Sequence, residues 1–280
     1  DTGQHHAVER GQAFDLLKKF GEMAVAEVDQ VQRQKGAYKT AVELISEKQF
    51  EAGFEVLQEM GAMREIKLEA ERQRAIAADY AAALETGKSA QVVSPTHDEG
   101  RSITQAIRHE LKEREVMGEG EKWQVLRNLS WTSAQKRDAR KYEPGLVVQV
   151  NRPLEGFAIG EQLEIVEVGA DKVSVRGFGG EEKALPLARP EDFNGFERDA
   201  IEVCRGERLS ITGNGRSADR HRLNSGNFYT VRDFTPEGEI ILNNGWRLGK
   251  DCAHLDYGYV TTSHVAQSKT VDWIFVAQSA

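Results

Sequence analysis

Leu255-Asp256-Tyr257-Gly258-Tyr259-Val260-Thr261-Thr262-Ser263-His264-Val265-Ala266-Gln267-Ser268-Lys269-Thr270-Val271-Asp272 runs into an apolar segment, Trp273-Ile274-Phe275-Val276, near the C-terminal end of the chain. Physically this reads as a polar loop and short helix feeding a buried strand. The loop gathers hydroxyls, an imidazole, an amide and a lysine, without the spacing of a metal site. Such groups suit phosphate and sugar oxygens better than they suit acid–base chemistry.

Composition sets the frame for that segment. With 280 residues, 39% of them hydrophobic and 29% charged, the chain has the make-up of an ordinary globular protein, long enough for two domains or for one with a large insertion. No run approaches the roughly 18 apolar residues of a membrane span, and no signal peptide is visible, so the expected setting is the bacterial cytoplasm without membrane insertion. Cys204 and Cys252 belong to no CxxC pair, which supports neither a zinc site nor a disulfide framework. A net charge of −8 argues against a general coat of positive charge. It leaves room for a local basic track, because binding depends on the field at the groove. The chain starts at Asp1 and stops just after an apolar strand, and it is expected to be a segment of a longer protein.

The opening segment resembles the fifth motif of superfamily 1 DNA helicases of the RecD type. The form is that of the TraI/TrwC conjugative relaxase–helicases (the MobF family): a Gly-Tyr pair, then Thr-x-His-x-x-Gln-Gly-x-Thr-x-Asp. Here Gly258-Tyr259, Thr262, His264, Gln267, Thr270 and Asp272 fit, while Ser268 stands where the pattern has Gly. A glycine at that place allows close backbone approach or positive φ, so Ser268 puts the coupling of strand to nucleotide in question.

The N-terminal stretch Asp1-Thr2-Gly3-Gln4-His5-His6-Ala7-Val8 could on chemistry alone be a turn or a metal site, but adjacent histidines point in different directions and no third ligand follows at a useful spacing. It resembles the third motif of the same family. The resemblance gives Gln4 the role of γ-phosphate sensor, since an amide can donate to a phosphoryl oxygen and accept from the attacking water. Val25 to Gln34 reads as a short strand and polar turn. Val31-Gln32-Arg33-Gln34 resembles the fourth motif, which makes Arg33 an arginine-finger candidate; taken alone, it reads as a solvated surface arginine.

Between Ala37 and Leu84 the apolar spacing is helical: Tyr38, Ala41, Val42 and Ile45 on one face, then Phe50, Phe54 and Leu57, then Ala70, Ile76, Ala77, Tyr80 and Leu84. Gly61 and Gly87 are placed to end helices. Gln91 to His97 reads as a buried strand and a hydroxyl-bearing loop, before a helix over Arg101 to Val116. Strand, loop and helix in that order can put Thr96 and His97 at a phosphate. The competing reading is that Thr96 is a plain helix N-cap. Met117 to Tyr142 reads as a polar connector.

From Pro144 to about Ala253 the chain becomes short alternating apolar runs with turns at Gly169-Ala170-Asp171, Gly179-Gly180, Pro236-Glu237-Gly238 and Asn243-Asn244-Gly245. This predicts small antiparallel β-barrels, with Val147 to Leu187 and Glu207 to Leu255 alike in pattern. The region holds a basic cluster: Arg205, Arg208, Arg216, Arg220 and Arg222 with His221. Basic loops on a β unit suit sequence-independent contact with a nucleic-acid backbone, or serve solubility alone.

The resemblance therefore implies an α/β chain: a RecA-like (P-loop NTPase-like) second helicase motor domain with an inserted β-barrel-rich subdomain. The expected division is residues 1–24 as the end of the first RecA-like domain, 25–142 and 255–280 as the second, and 143–254 as the insertion. Thr96, His97, Thr262, Ser263 and His264 would hold single-stranded DNA, with Arg216, Arg220 and Arg222 on the insertion. Gln4, Arg33, Gln267 and Lys269 would face ATP and its Mg²⁺, most of whose ligands lie on the first motor domain. Implied partners are that domain, a relaxase domain of the same parent, and the type IV secretion machinery. No G-x-x-x-x-G-K-[ST] sequence occurs, so the chain alone is not expected to hydrolyse ATP. The alternative is a degenerate helicase-like module that binds single strands without turnover.

Overall fold

A computed structural model describes residues 13–21, 34–177, 179–267 and 269–278. The helical periodicity of the first third appears as α1 (Ala13–Phe20), α2 (Gly36–Ser46), α3 (Phe50–Glu59) and α4 (Glu69–Glu85). α2 and α3 form a hairpin whose close approach depends on Gly53: a Cβ there would lie 2.6 Å from the Ile45 side chain. Gly61 and Gly87 take φ of +66° and +72° just past the ends of α3 and α4, a conformation that costs glycine little.

β1 (Ala90–Val93) is buried along its whole length, and α5 (His97–Glu113) follows it. The helix begins four residues earlier than the apolar spacing indicates. Thr96 caps it, its hydroxyl accepting a hydrogen bond from the Glu99 N–H at 3.3 Å. α4 and α5 pack on the strand through Ala77, Tyr80, Ala81, Ile103, Ile107 and Leu111, forming the first core with Ala90 and Val92.

The stretch expected to be a connector contains a nine-residue strand, β2 (Gly120–Asn128), and the short helix α6 (Ser133–Arg137). Beyond them come β3 (Val147–Val150), β4 (Gln162–Val168), β5 (Val173–Arg176), β6 (Glu182–Ala184) and the twelve-residue β7 (Phe193–Cys204). They make a six-stranded sheet in the order β2-β7-β3-β4-β5-β6. A second run supplies β8 (Arg208–Ile211), the two-residue pair β9 (Gly215–Arg216) and β10 (Arg222–Leu223), β11 (Phe228–Phe234), β12 (Ile240–Leu242), β13 (Arg247–Leu248) and β14 (Leu255–Tyr257). β9 pairs with β10 alone, and the rest form a five-stranded sheet, β13-β12-β11-β8-β14.

The expected barrels are therefore open sheets: each order has two ends among the described residues. The physical reason is the β2–β7 ribbon. At ~3.3 Å per residue, β7 is too long for one small barrel, and the ribbon serves two cores instead. Trp123, Val125, Ile201 and Val203 pack with the five-stranded sheet, whereas Phe193, at the other end of β7, packs with Val148, Val150, Leu163 and Ile165.

The chain then returns as β15 (Val260–Thr261), α7 (Ser263–Ala266) and β16 (Trp273–Val276). β15 and β16 flank β1, both parallel to it, in a three-stranded sheet. The final apolar run, expected to be buried, is an edge strand instead: Trp273, Ile274 and Val276 are 54%, 45% and 67% exposed. Among the described residues no strand pairs with its outer side. Asp272 ties the strand's start back to the sheet, accepting hydrogen bonds from the Ser89 N–H at 2.8 Å and hydroxyl at 2.7 Å.

Candidate nucleic-acid interface

Two segments far apart in sequence leave the parallel sheet side by side. Val93 is the register partner of Thr261, and the Ser94 N–H donates to the Thr261 carbonyl at 3.1 Å. Thr96-His97 and Thr262-Ser263-His264 therefore both emerge from the carboxyl ends of adjacent parallel strands, where open α/β sheets form their ligand crevices. Gly100 lets α5 come close to β15, since a Cβ there would stand 3.3 Å from the Val260 side chain.

The two threonines are used differently. Thr96 spends its hydroxyl oxygen on capping α5, the plain N-cap role of a threonine at this place. Thr262 stands at the equivalent position of α7 but makes no capping bond. His97, Ser263 and His264 are exposed. Just behind the loop, buried Glu99 accepts from the Ser94 hydroxyl at 3.0 Å and faces Arg72 at 3.8 Å. Asp98 and Glu99 occupy the first turn of α5, where they already complement the positive end of the helix dipole. A phosphate here would rely on side-chain donors more than on that helix end.

Gln267 is half-buried just after α7, and Lys269 lies over the Phe228 ring of β11, 5.5 Å from its centroid. Gln4, Arg33 and Ser268 lie outside the described residues. Arg216, Arg220 and Arg222 are exposed, but they sit on the β9–β10 pair of the five-stranded unit, a separate part of the fold from the strand ends. Two arginines of the basic cluster have other work. Arg205 pairs with Asp233 at 2.8 Å. Arg208 turns inward, donating to the Ala90 carbonyl at 3.0 Å and to Gln91 Oε1 at 3.3 Å. Among the described residues no group of His, Cys, Asp and Glu side chains gathers as a metal ion would require, and no helix is long and apolar enough to cross a membrane.

The sequence gives no sign of the buried charge cluster that holds the chain where it enters β15. Glu207 is completely buried, receives Arg108 Nε and Nη2 at 3.0 Å each, and accepts the Tyr259 hydroxyl at 2.8 Å. Arg108 also reaches Glu202 at 3.1 Å and lies over the Tyr257 ring at 4.3 Å. Burial works against the charge on Arg108, but the bonds and charge of Glu207 outweigh it and hold the guanidinium pKa above its ordinary value. For Tyr259, burial and then the Glu207 carboxylate push the hydroxyl pKa well up, keeping it a donor.

A polar cleft of about 880 Å³ separates the six-stranded sheet from the Thr212-Gly213-Asn214 loop, lined by amides such as Asn128, Gln149 and Asn194 and by the His254 ring. That ring packs edge-on against Phe196 at 5.2 Å, its Nε2 is buried without a hydrogen-bond partner, and burial lowers its pKa. The unfolded chain takes up this proton near pH ~6.5, whereas the folded chain resists it. The stability contributed by neutral His254 is thus present above that pH and lost as pH falls below it. The urea midpoint is expected to drop between pH 7.5 and 5.5, and to drop less in His254→Gln. Equal drops in both proteins would remove His254 from the account.

A protein-family model described as an AAA domain matches residues 1–68, which include Gln4 and Arg33. The multifunctional conjugation protein TraI of Escherichia coli is 26% identical over 140 residues, 49% of this chain and 8% of that protein. TraI of Escherichia coli strain K12 is 26% identical over 144 residues, 51% of this chain and again 8% of that protein. This chain thus spans a small part of the curated relatives it matches. Among solved structures, the Pif1 helicase from Bacteroides, in complex with ADP-AlF3 and ssDNA, aligns over 100% of this chain and 55% of its own, at 15% identity and a TM-score of 0.30. By sequence the chain is similar to the multifunctional conjugation protein TraI over about half of its length.

Proposed function

We propose that this chain is the strand-tracking part of an ATP-dependent DNA helicase of the conjugative relaxase type: a RecA-like second motor unit, interrupted by the two β units, that grips single-stranded DNA. The observation supporting this most directly is the parallel pairing of β1 and β15, which brings Thr96-His97 beside Thr262-Ser263-His264. Hydroxyls and imidazoles at strand ends offer hydrogen bonds to phosphate oxygens without reading bases. Arg216, Arg220 and Arg222 would add backbone contacts from the five-stranded unit.

In the same proposal ATP with Mg²⁺ belongs to a site shared with a first motor domain, and its hydrolysis supplies the free energy for stepping. Gln4 would sense the γ-phosphate and Arg33 would complete the site. Gln267 and Lys269, in the segment returning from α7 to β16, would carry movement between that site and the strand-holding loop. Lys269 lies over the Phe228 ring, within one return segment of Thr262. The relaxase domain and the secretion machinery are partners of the whole protein on this view.

The test is binding of the 280-residue chain to oligo(dT) across a salt series. Affinity is expected to fall as salt rises, and Thr262→Ala/His264→Ala to bind about tenfold or more weakly, because each hydrogen bond to a charged group contributes roughly 1.5–3 kcal/mol. Tight, salt-sensitive binding that ignores the double substitution would move the strand away from β15.

A further inference from the structure

The β9–β10 pair ends a turn that carries more than charge. Leu223 anchors it in the second core, 1% exposed. The turn is closed by the Ser217 N–H donating to the His221 carbonyl at 2.8 Å and by the His221 N–H donating to the Ser217 hydroxyl at 2.9 Å. It is docked on β13 by the Ala218 N–H, which donates to the Arg247 carbonyl at 2.8 Å. Arg220 closes the turn at φ +68°, a left-handed conformation unusual for a bulky residue.

Three aromatic rings rise from the core at this place. Tyr229 lies 5.8 Å from Trp246, and His221 stacks flat on Trp246 with ring centroids 4.5 Å apart and planes 9° from parallel. Trp246 is half-buried against the second core, so the ladder has a fixed base. His221 is its outermost rung, with 49% of its side chain exposed and Asp219 3.6 Å away.

Arg216 and Arg222 are direct cross-strand partners. Like charges opposite one another destabilise a pair of strands. Among the described residues no carboxylate lies within 4 Å of Arg216, Arg220 or Arg222. Among the described residues the one side-chain hydrogen bond of these three arginines is Arg216 Nη1 donating to the Arg220 carbonyl at 3.2 Å. A flat π-surface beside unneutralised guanidinium groups matches a ligand that alternates planar rings with anions, and a single nucleic-acid strand is such a ligand.

Building on the single-strand reading above, we infer that His221, supported by Trp246, is a base-stacking platform, with Arg216 and Arg222 holding the phosphates on either side. The platform engages a stretch of single-stranded DNA other than the one at Thr96 and Thr262. It gives the five-stranded unit a grip on bases that is indifferent to their identity, since every base has a π-face.

Tryptophan fluorescence of the whole chain separates the possibilities. Oligo(dT) is expected to quench it, an abasic strand of equal length to quench it much less, and Trp246→Phe to abolish the difference. His221→Ala, a surface substitution, is expected to weaken oligo(dT) binding about tenfold while leaving abasic-strand binding near wild type. Equal quenching by both strands would reduce the site to phosphate contact and overturn the platform. Binding that depends on Thr262 and His264 but leaves Trp246 and His221→Ala unaffected would overturn it too, with the strand-end reading still standing. No binding of either strand at low salt would remove both.

Discussion

Arg108→Ala is expected to cost this fold about 3–5 kcal/mol, because it strands a buried carboxylate. Glu207 is fully buried, and Arg108 meets it with two guanidinium nitrogens at 3.0 Å. Without the arginine, Glu207 keeps the Tyr259 hydroxyl and a distant Cys204 N–H at 3.4 Å, too little to replace hydration of a full negative charge. Glu207→Ala is expected to be similarly harmful, since the buried Arg108 would keep as its carboxylate partner only the half-exposed Glu202, which it shares with Lys112. Replacing both, as Arg108→Met/Glu207→Leu, is expected to recover much of the loss, because a buried ion pair and a well-packed apolar pair are often close in free energy. Urea unfolding of the wild type, the two alanine variants and Arg108→Ala/Glu207→Ala gives the coupling directly, and Arg108→Met/Glu207→Leu tests the apolar replacement. A loss below about 1 kcal/mol for Arg108→Ala would mean that the pair is solvated in practice.

This cluster is also where sequence reading ran out. Arg108 and Glu207 are separated by ninety-nine positions, and each looks locally like one more charge on a helix face or in a turn. The helices were legible because one side of each is buried at a regular period, and the hairpin turns because Gly180, Gly238 and Gly245 adopt the positive φ that such turns need. β2 and β7 were not legible, because both cross from one core to another. Val125 and Leu126 are consecutive yet both buried, the first in the core of the five-stranded sheet and the second with Val147 and Phe196. Alternation breaks where the buried face changes sides, and the periodic signal vanishes with it.

For the candidate interface, residue chemistry was legible and juxtaposition was not. Thr262 and His264 stood out as oxygen-seeking groups in a loop, and Thr96 as a hydroxyl before a helix. That β15 pairs in parallel with β1 in this register is a tertiary fact without a local signature. The aromatic ladder was hidden in the same way. Trp246 follows the Asn243-Asn244-Gly245 turn and Tyr229 lies in a strand, and only folding brings His221 onto them. The basic cluster shows the opposite failure, five arginines counted together although the fold turns Arg208 inward and pairs Arg205 with Asp233.

Arg208 gives the sharpest way to separate structural arginines from those proposed to contact DNA. Its guanidinium holds the Ala90 carbonyl and the side chain of Gln91, which is only 2% exposed, and it lies 5.1 Å over Phe228. Arg208→Ala leaves Gln91 Oε1 buried without that donor, at about 1–3 kcal/mol, and forfeits a cation–π contact of roughly 0.5–2 kcal/mol. A total of about 2–4 kcal/mol is expected, against little change for Arg222→Ala on the exposed hairpin. Lysine is expected to restore little, since it cannot fork between two acceptors. DNA binding should show the reverse order. The slope of log affinity against log salt is expected to fall by roughly 0.7 for Arg222→Ala, the loss of about one phosphate contact on a single strand, and to stay unchanged for Arg208→Ala below its unfolding transition. An Arg208→Ala protein of normal stability and reduced salt slope would put this arginine on the DNA.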